Sequence, residues 1–86
     1  MKDYWQNYID GAWVDGGAGR LDVFDPGSQS KIAQHALADA SDVDRAVQAA
    51  RRVHFSGALS DLRPVERGRM VQGMGRYLLE HIDEIA

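Results

Sequence analysis

The hydrophobic pattern changes period once, near Ser41, and this limits the chain to a strand-bearing first part followed by helices. Apolar residues before that point come in short runs broken by turn formers. Tyr8-Ile9 and Ala12-Trp13-Val14 flank Asp10-Gly11, and an Asp-Gly pair between apolar runs is the strongest short-range hairpin signal. Asp15-Gly16-Gly17-Ala18-Gly19 reads as a flexible loop, and Leu21-Asp22-Val23-Phe24 as a further strand. That strand ends at Asp25-Pro26-Gly27-Ser28, where proline fixes φ and Gly27 is placed to accept a positive φ. Residues 31–38 alternate weakly through Ile32, Ala33, Ala36 and Leu37, which predicts a third strand.

From Ser41 the apolar residues recur at helical spacing. Ser41-Asp42-Val43-Asp44 has the form of a capping box, with Ser41 as cap, Asp44 reaching back, and acidic charge at the positive end of the dipole. Val43, Ala46, Val47, Ala50 and Val53 make one stripe, which predicts a helix over 41–55 that Gly57 ends. Arg45, Arg51 and Arg52 fall off the stripe. A second helix starts at Pro64, a favoured first position, and runs through Glu66, Met70, Val71, Met74, Tyr77, Leu78 and Ile82, so that 64–86 hold helix 2 and the start of the next element. Gly73 and Gly75 each cost about 1 kcal/mol against alanine in a helix interior, which calls for a tightly packed neighbour there. The pattern is still apolar at Ile82, Ile85 and Ala86, and the expectation is a segment cut from a longer protein.

Size reinforces that expectation. A chain of 86 residues makes one small domain that buries only about 60% of its unfolded surface. With no cysteine, no disulfide, thiolate metal site or thiol nucleophile can help it. The 10 basic and 13 acidic residues are interspersed, which argues against a nucleic-acid footprint. No apolar run approaches the length of a membrane span, and the first residues lack a signal-peptide core, so a cytoplasmic setting is expected.

Candidate sites are few. Gly16-Gly17-Ala18-Gly19 precedes a strand rather than a helix, the wrong context for a phosphate loop, and reads as a connection. Gly73-Met74-Gly75 lacks the third glycine of a dinucleotide fingerprint. His35, His54 and His81 lack ligand spacing. Glu66, Glu80 and Glu84 lie in polar helical surroundings, and Arg63, Arg67, Arg69 and Arg76 read as surface charge, paired with Asp61 or Glu66. Trp13 is expected as a core or interface anchor, and Trp5 against whatever covers this segment. No catalytic, cofactor-binding or metal-binding residue is assigned.

Four stretches, in order, resemble the aldehyde dehydrogenase superfamily. Tyr8-Ile9-Asp10-Gly11-Ala12-Trp13-Val14-Asp15 is similar to its opening strand, and Asp25-Pro26 with Ile32-Ala33 to its Asn-Pro, turn and Val/Ile-Ile-Ala signature. Asp42-Val43-Asp44-Arg45-Ala46-Val47-Gln48-Ala49-Ala50-Arg51 resembles its first helix, and Pro64-Val65-Glu66-Arg67-Gly68-Arg69 the start of its second. There are departures. Arg63 stands where a Ser or Thr cap is usual, Asp25 replaces Asn, and Gly27-Ser28-Gln29-Ser30 replaces Ala-Thr-Gly-Glu, with the glycine moved forward.

The resemblance implies an α/β fold, with residues 1–38 as an arm and short strands and the two helices belonging to a cofactor-binding domain. It implies a parent, a homo-oligomer, that oxidises an aldehyde to a carboxylic acid with NAD or NADP. There a cysteine attacks the aldehyde, an asparagine amide and a backbone N–H hold the oxyanion, hydride passes to the nicotinamide, and a glutamate activates water. This chain has no cysteine; its one asparagine is Asn7 and its lysines are Lys2 and Lys31, so the resemblance implies a scaffold role and an inactive fragment. In some members carbonyls before the Asn-Pro pair, those of Val23 and Phe24 here, help hold a monovalent cation, but the other ligands are missing from this chain and the site is not assigned. The alternative from another class is a freestanding α+β interaction module that binds a partner through its helix faces.

Overall fold

The structure, a computed structural model, describes residues 2–86 and divides into two units at Arg52 and Val53.

In the first unit, β1 (Tyr4–Trp5), β5 (Lys31–Ala36) and β4 (Arg20–Phe24) form a sheet in the order β1-β5-β4. β1 runs parallel to β5, with Tyr4 opposite Gln34 and Trp5 opposite His35. β4 runs antiparallel to β5, from Arg20 opposite Ala36 to an irregularity at Val23/Phe24. β2 (Asn7–Ile9) and β3 (Ala12–Val14) make a separate hairpin. Its turn residues Asp10 and Gly11 have φ of 52° and 77°, the pair of positive values that a type I′ turn requires. The hairpin, β4 and β5 lie where the residue pattern places them. β1 is an addition, at residues for which the sequence pattern predicts no strand.

The turn after β4 departs from expectation in one respect. Asp25 takes the amide of Gly27 at 2.8 Å and the hydroxyl of Ser28 at 3.1 Å, as turn aspartates do. The left-handed residue, however, is Gln29 at φ 63°, and Gly27 is not left-handed. The positive φ thus falls two residues beyond the glycine that the sequence offers for it.

Helix α1 (Ala40–Ser56) begins one residue before the expected span and ends one after it. Its cap is not Ser41. The Asp39 carboxylate accepts from the Asp42 amide at 2.9 Å and from the Ser41 hydroxyl at 2.9 Å, while Asp42 accepts from the Asp39 amide at 2.9 Å. This is a capping box set two residues earlier, Asp39 to Asp42, and it replaces the expected Ser41 to Asp44 box. Ala36 is the one buried hydrophobic residue among the described residues. The apolar stripe of α1 stays open, with Val43 55% and Val47 56% exposed.

In the second unit Gly57, at φ 77°, closes α1 with the left-handed conformation a helix end favours, and Asp61 packs so close that a Cβ there would lie 2.2 Å from its carboxylate. Arg67 donates to the carbonyls of Leu59 and Leu62 and ties down the connection. Helix α2 (Pro64–Glu80) starts on proline behind an extended Arg63 that makes no side-chain cap, and Arg63 instead pairs with Glu66 at 2.8 Å. The helical run breaks at His81 (φ −117°, ψ 21°) before the short α3 (Ile82–Ile85). There the His81 amide donates to Tyr77 and Leu78 and its ring stacks on Tyr77 at 4.0 Å. Met70, Val71, Met74, Tyr77 and Leu78 are all exposed. The tight packing expected at Gly73 and Gly75 is not found among the described residues. A Cβ on Gly75 would meet nothing within 4 Å, and one on Gly73 only the Arg76 guanidinium at 3.9 Å. Among the described residues no helix is long and apolar enough to cross a membrane.

Candidate functional site

The most heavily built polar constellation is the junction between the loop at 16–19 and the start of α1. Its centre is Asp42, 2% exposed. One carboxylate oxygen accepts from the Gly17 amide at 2.7 Å and from the Asp39 amide at 2.9 Å, and the other pairs with Arg45. A buried carboxylate is tolerated only when its lone pairs are met in this way. The amides of Gly17 and Asp39 hold its pKa below the usual carboxylate range, against the opposing effect of desolvation, with Arg45 adding a smaller pull. The sequence alone places Asp42 as negative charge on the helix dipole. The Asp-x-x-Asp spacing around it is the signal that marks its larger role.

The loop is held from its other side as well. Ala18 donates to the Leu37 carbonyl at 3.0 Å, Leu37 donates to Gly19 at 2.9 Å, and Gly19 donates to Gly16 at 3.2 Å. The glycines are required by close approach. A Cβ on Gly16 would sit 2.1 Å from the Leu37 carbonyl oxygen, and one on Gly17 1.9 Å from the Asp39 carboxylate. The amides of Gly17, Ala18 and Gly19 are thus engaged inside the protein, and the adjoining helix N-terminus faces its own two carboxylates. An incoming phosphate would meet engaged loop amides and two carboxylates at the start of the helix. The junction is a tie between loop and helix.

A second cluster lies on the strands. The Tyr4 hydroxyl donates to Asp15 at 2.7 Å and Gln6 donates to the same oxygen at 3.1 Å, while the Arg20 guanidinium lies 3.7 Å from the Tyr4 ring centre. Tyr4, followed by Gln6, lowers the pKa of Asp15, and the same contact raises that of Tyr4. On β4 and β5, Asp22 takes Gln34 at 2.8 Å and Lys31 at 3.2 Å, which lowers its pKa in that order. A cleft of about 550 Å³ lies between the hairpin and α1, bordered by Ile9, Val14, Gln48 and the Asp10–Arg52 ion pair at 2.7 Å.

The remaining candidates stay dispersed. His35 turns its Nδ1 to the Ala36 carbonyl at 2.9 Å, His54 meets Phe55 edge-on at 5.1 Å, and His81 holds the helix break. Among the described residues no group of three or more His, Cys, Asp or Glu could hold a metal ion. Val23 and Phe24 lie in β4 at the irregular end of its pairing with β5. Trp13, expected as an anchor, is 57% exposed, and it shares the Lys2 ammonium with Trp5 at 5.5 and 5.1 Å.

Comparison with known proteins gives one consistent result. The family model described as "Aldehyde dehydrogenase family" matches residues 13–86. The "Cytosolic 10-formyltetrahydrofolate dehydrogenase" of Xenopus tropicalis is 33% identical over 82 residues, 94% of this chain and 9% of that protein. The "N-succinylglutamate 5-semialdehyde dehydrogenase" of Burkholderia thailandensis is 35% identical over 79 residues, 92% of this chain and 16% of that protein. The "Malonate-semialdehyde dehydrogenase 1" of Oceanobacillus iheyensis is 34% identical over 84 residues, 96% of this chain and 17% of that protein. The chain therefore spans less than a fifth of the length of each of these curated relatives. No solved structure matches it.

Proposed function

This chain belongs to the aldehyde dehydrogenase family, and from that premise we propose that it is a scaffold segment of the cofactor-binding domain of a longer enzyme. The parent is an oxidoreductase that converts an aldehyde to a carboxylic acid with NAD or NADP, and it works as a homo-oligomer in the cytoplasm. The observation that carries the scaffold reading is the exposure of both helices' apolar stripes, from Val43 and Val47 on α1 to Val71 and Leu78 on α2. Such surface is stable only when covered. Support for the cytoplasmic setting comes from the Xenopus relative, which is named cytosolic.

The residues of this chain do not fit the dinucleotide themselves. The glycine-loop amides are engaged by Asp42, Leu37 and Gly16, and the one cation at the junction, Arg45, is paired with Asp42. The contribution of this segment is to fix the loop to the start of α1 through Asp42 and to present two apolar helix faces to the rest of the domain.

The test is direct. The purified 86-residue chain, given a panel of aldehydes with NAD or NADP, is expected to produce no reduced nicotinamide. It is also expected to show no cofactor-dependent change in the fluorescence of Trp5 and Trp13. Turnover, or saturable cofactor binding, overturns the scaffold reading.

A further inference from the structure

Two Asp-Gly pairs occur in the sequence, at 10–11 and 15–16, and the structure gives them opposite surroundings. An Asp-Gly pair can close on itself because glycine offers no side chain to shield its nitrogen. We propose that Asp10-Gly11 is a site of spontaneous covalent modification, converting through a cyclic imide to isoaspartate, and that Asp15-Gly16 is shielded from the same reaction by its packing.

The chemistry needs only water. The Gly11 nitrogen attacks Cγ of the protonated Asp10 carboxyl, the N–Cγ bond forms, and one carboxyl oxygen leaves as water with the amide and carboxyl protons. Water then adds to either carbonyl of the five-membered ring. Cleavage of the bond between nitrogen and Cγ restores aspartate. Cleavage of the bond between nitrogen and the main-chain carbonyl carbon leaves the chain running through Cγ, one methylene longer, with a free α-carboxylate.

Closure requires the main chain and side chain of Asp10 to rotate out of their present setting, and the structure leaves them free to do so. Asp10 is held left-handed, at φ 52°, by the turn alone. A Cβ on Gly11 would meet nothing within 4 Å. The single ion pair of Asp10, to Arg52, is exposed on both sides, 61% and 62%, and such pairs hold weakly in water.

Asp15 is exposed but tied by two hydrogen bonds, and Gly16 is half-buried against Leu37. The Asp15 carboxylate takes Tyr4 and Gln6, and Gly16 lies against the Leu37 main chain with its carbonyl engaged by Gly19. Rotation there would break the loop away from Leu37. Modification at residue 10 has a structural consequence too. An extra methylene in a two-residue turn cannot keep Ile9 opposite Ala12, so the Tyr8–Trp13 ring contact at 5.0 Å opens.

The test ages the 86-residue chain at neutral pH and physiological temperature. Methyl groups are then counted after treatment with an isoaspartyl O-methyltransferase and labelled S-adenosylmethionine. Methyl acceptance is expected to rise with age, to persist in Asp15→Glu, and to be lost in Asp10→Glu, where the larger ring disfavours closure. Asp10→Asn, which closes the same ring with ammonia as leaving group, is expected to accept methyl groups faster. Peptide sequencing is expected to place the isoaspartate at 10. Equal acceptance in Asp10→Glu and the parent, or isoaspartate at 15 and not at 10, overturns the proposal.

Discussion

Gly17 and Asp39 should be energetically coupled, and the size of that coupling follows from the geometry. Gly17 is not among the positive-φ glycines, so its backbone suits alanine, and removing a glycine from such a site stabilises by roughly 0.4–1 kcal/mol through the unfolded chain. What opposes the change is a single contact, since the new Cβ would lie 1.9 Å from Asp39 Oδ2 and 2.4 Å from its Cγ. The collision is relieved only if the Asp39 carboxylate swings away and releases the Asp42 amide and Ser41 hydroxyl that it caps. Losing a cap of this kind costs about 1 kcal/mol. Gly17→Ala alone should therefore be neutral to destabilising by several tenths of a kcal/mol. In an Asp39→Ala background, where the cap is already gone, the same change should stabilise by roughly 0.4–1 kcal/mol. Denaturant unfolding of the parent, both single variants and the double variant gives the coupling, expected near 1 kcal/mol. Amide exchange at Asp42 reports the same loss locally. Effects that add to within about 0.3–0.5 kcal/mol would refute the shared-cap argument.

Four further outcomes are expected. Gly16→Ala should destabilise more than Gly17→Ala, because its Cβ meets the Leu37 main chain, which has no rotamer to escape into; equal denaturation midpoints would count against this. Gln29→Gly should stabilise by up to about 1 kcal/mol, since relief of a left-handed side chain outweighs the flexibility gained in the unfolded state; a lower unfolding midpoint would show that the strain is absent. Gly73→Ala and Gly75→Ala should each raise the helicity of the isolated chain, by about 1 kcal/mol per site, as read by circular dichroism, whereas in the longer enzyme at least one should destabilise where a neighbour approaches closely. Acid should weaken the loop junction. The folded pKa of Asp42 lies below its unfolded value, so its contribution is fully present above the unfolded value and lost as pH falls through the folded one. Stability of Asp42→Asn should fall less steeply over that acidic window, and an unchanged slope would contradict the assignment.

How much of this was legible in the sequence depended on whether the deciding contacts are local. The hairpin at Asp10-Gly11, the stop at Gly57 and the start at Pro64 are written in adjacent residues, and each lies where those residues place it. β1 is not written locally. Two residues carry no period, and Tyr4–Trp5 becomes a strand only because β5, some thirty residues on, lies parallel to it. The cap of α1 was displaced for a similar reason. Ser41 and Asp39 can both cap, and the choice falls to Asp39 because its partner Asp42 is also drawn to Gly17 across the loop. The break at His81 has no glycine or proline to announce it and rests on a ring stacked over Tyr77. At Gln29 the backbone kept a conformation for which the residue present is not the natural choice, so composition pointed to Gly27 instead. The family membership was legible because it rests on ordered residue identities along most of the chain, and the family match over residues 13–86 shows it.

The central claim is that the apolar faces of α1 and α2 are completed by protein outside this chain, and amide hydrogen exchange along α2 tests it most directly. In the isolated chain the amides of 67–80 are expected to exchange nearly as fast as in an unfolded peptide, because few apolar contacts hold the helix closed. In the longer enzyme proposed above, the same amides are expected to be strongly protected. Strong protection of α2 in the isolated 86 residues would show that the chain covers its own faces, and would contradict the account.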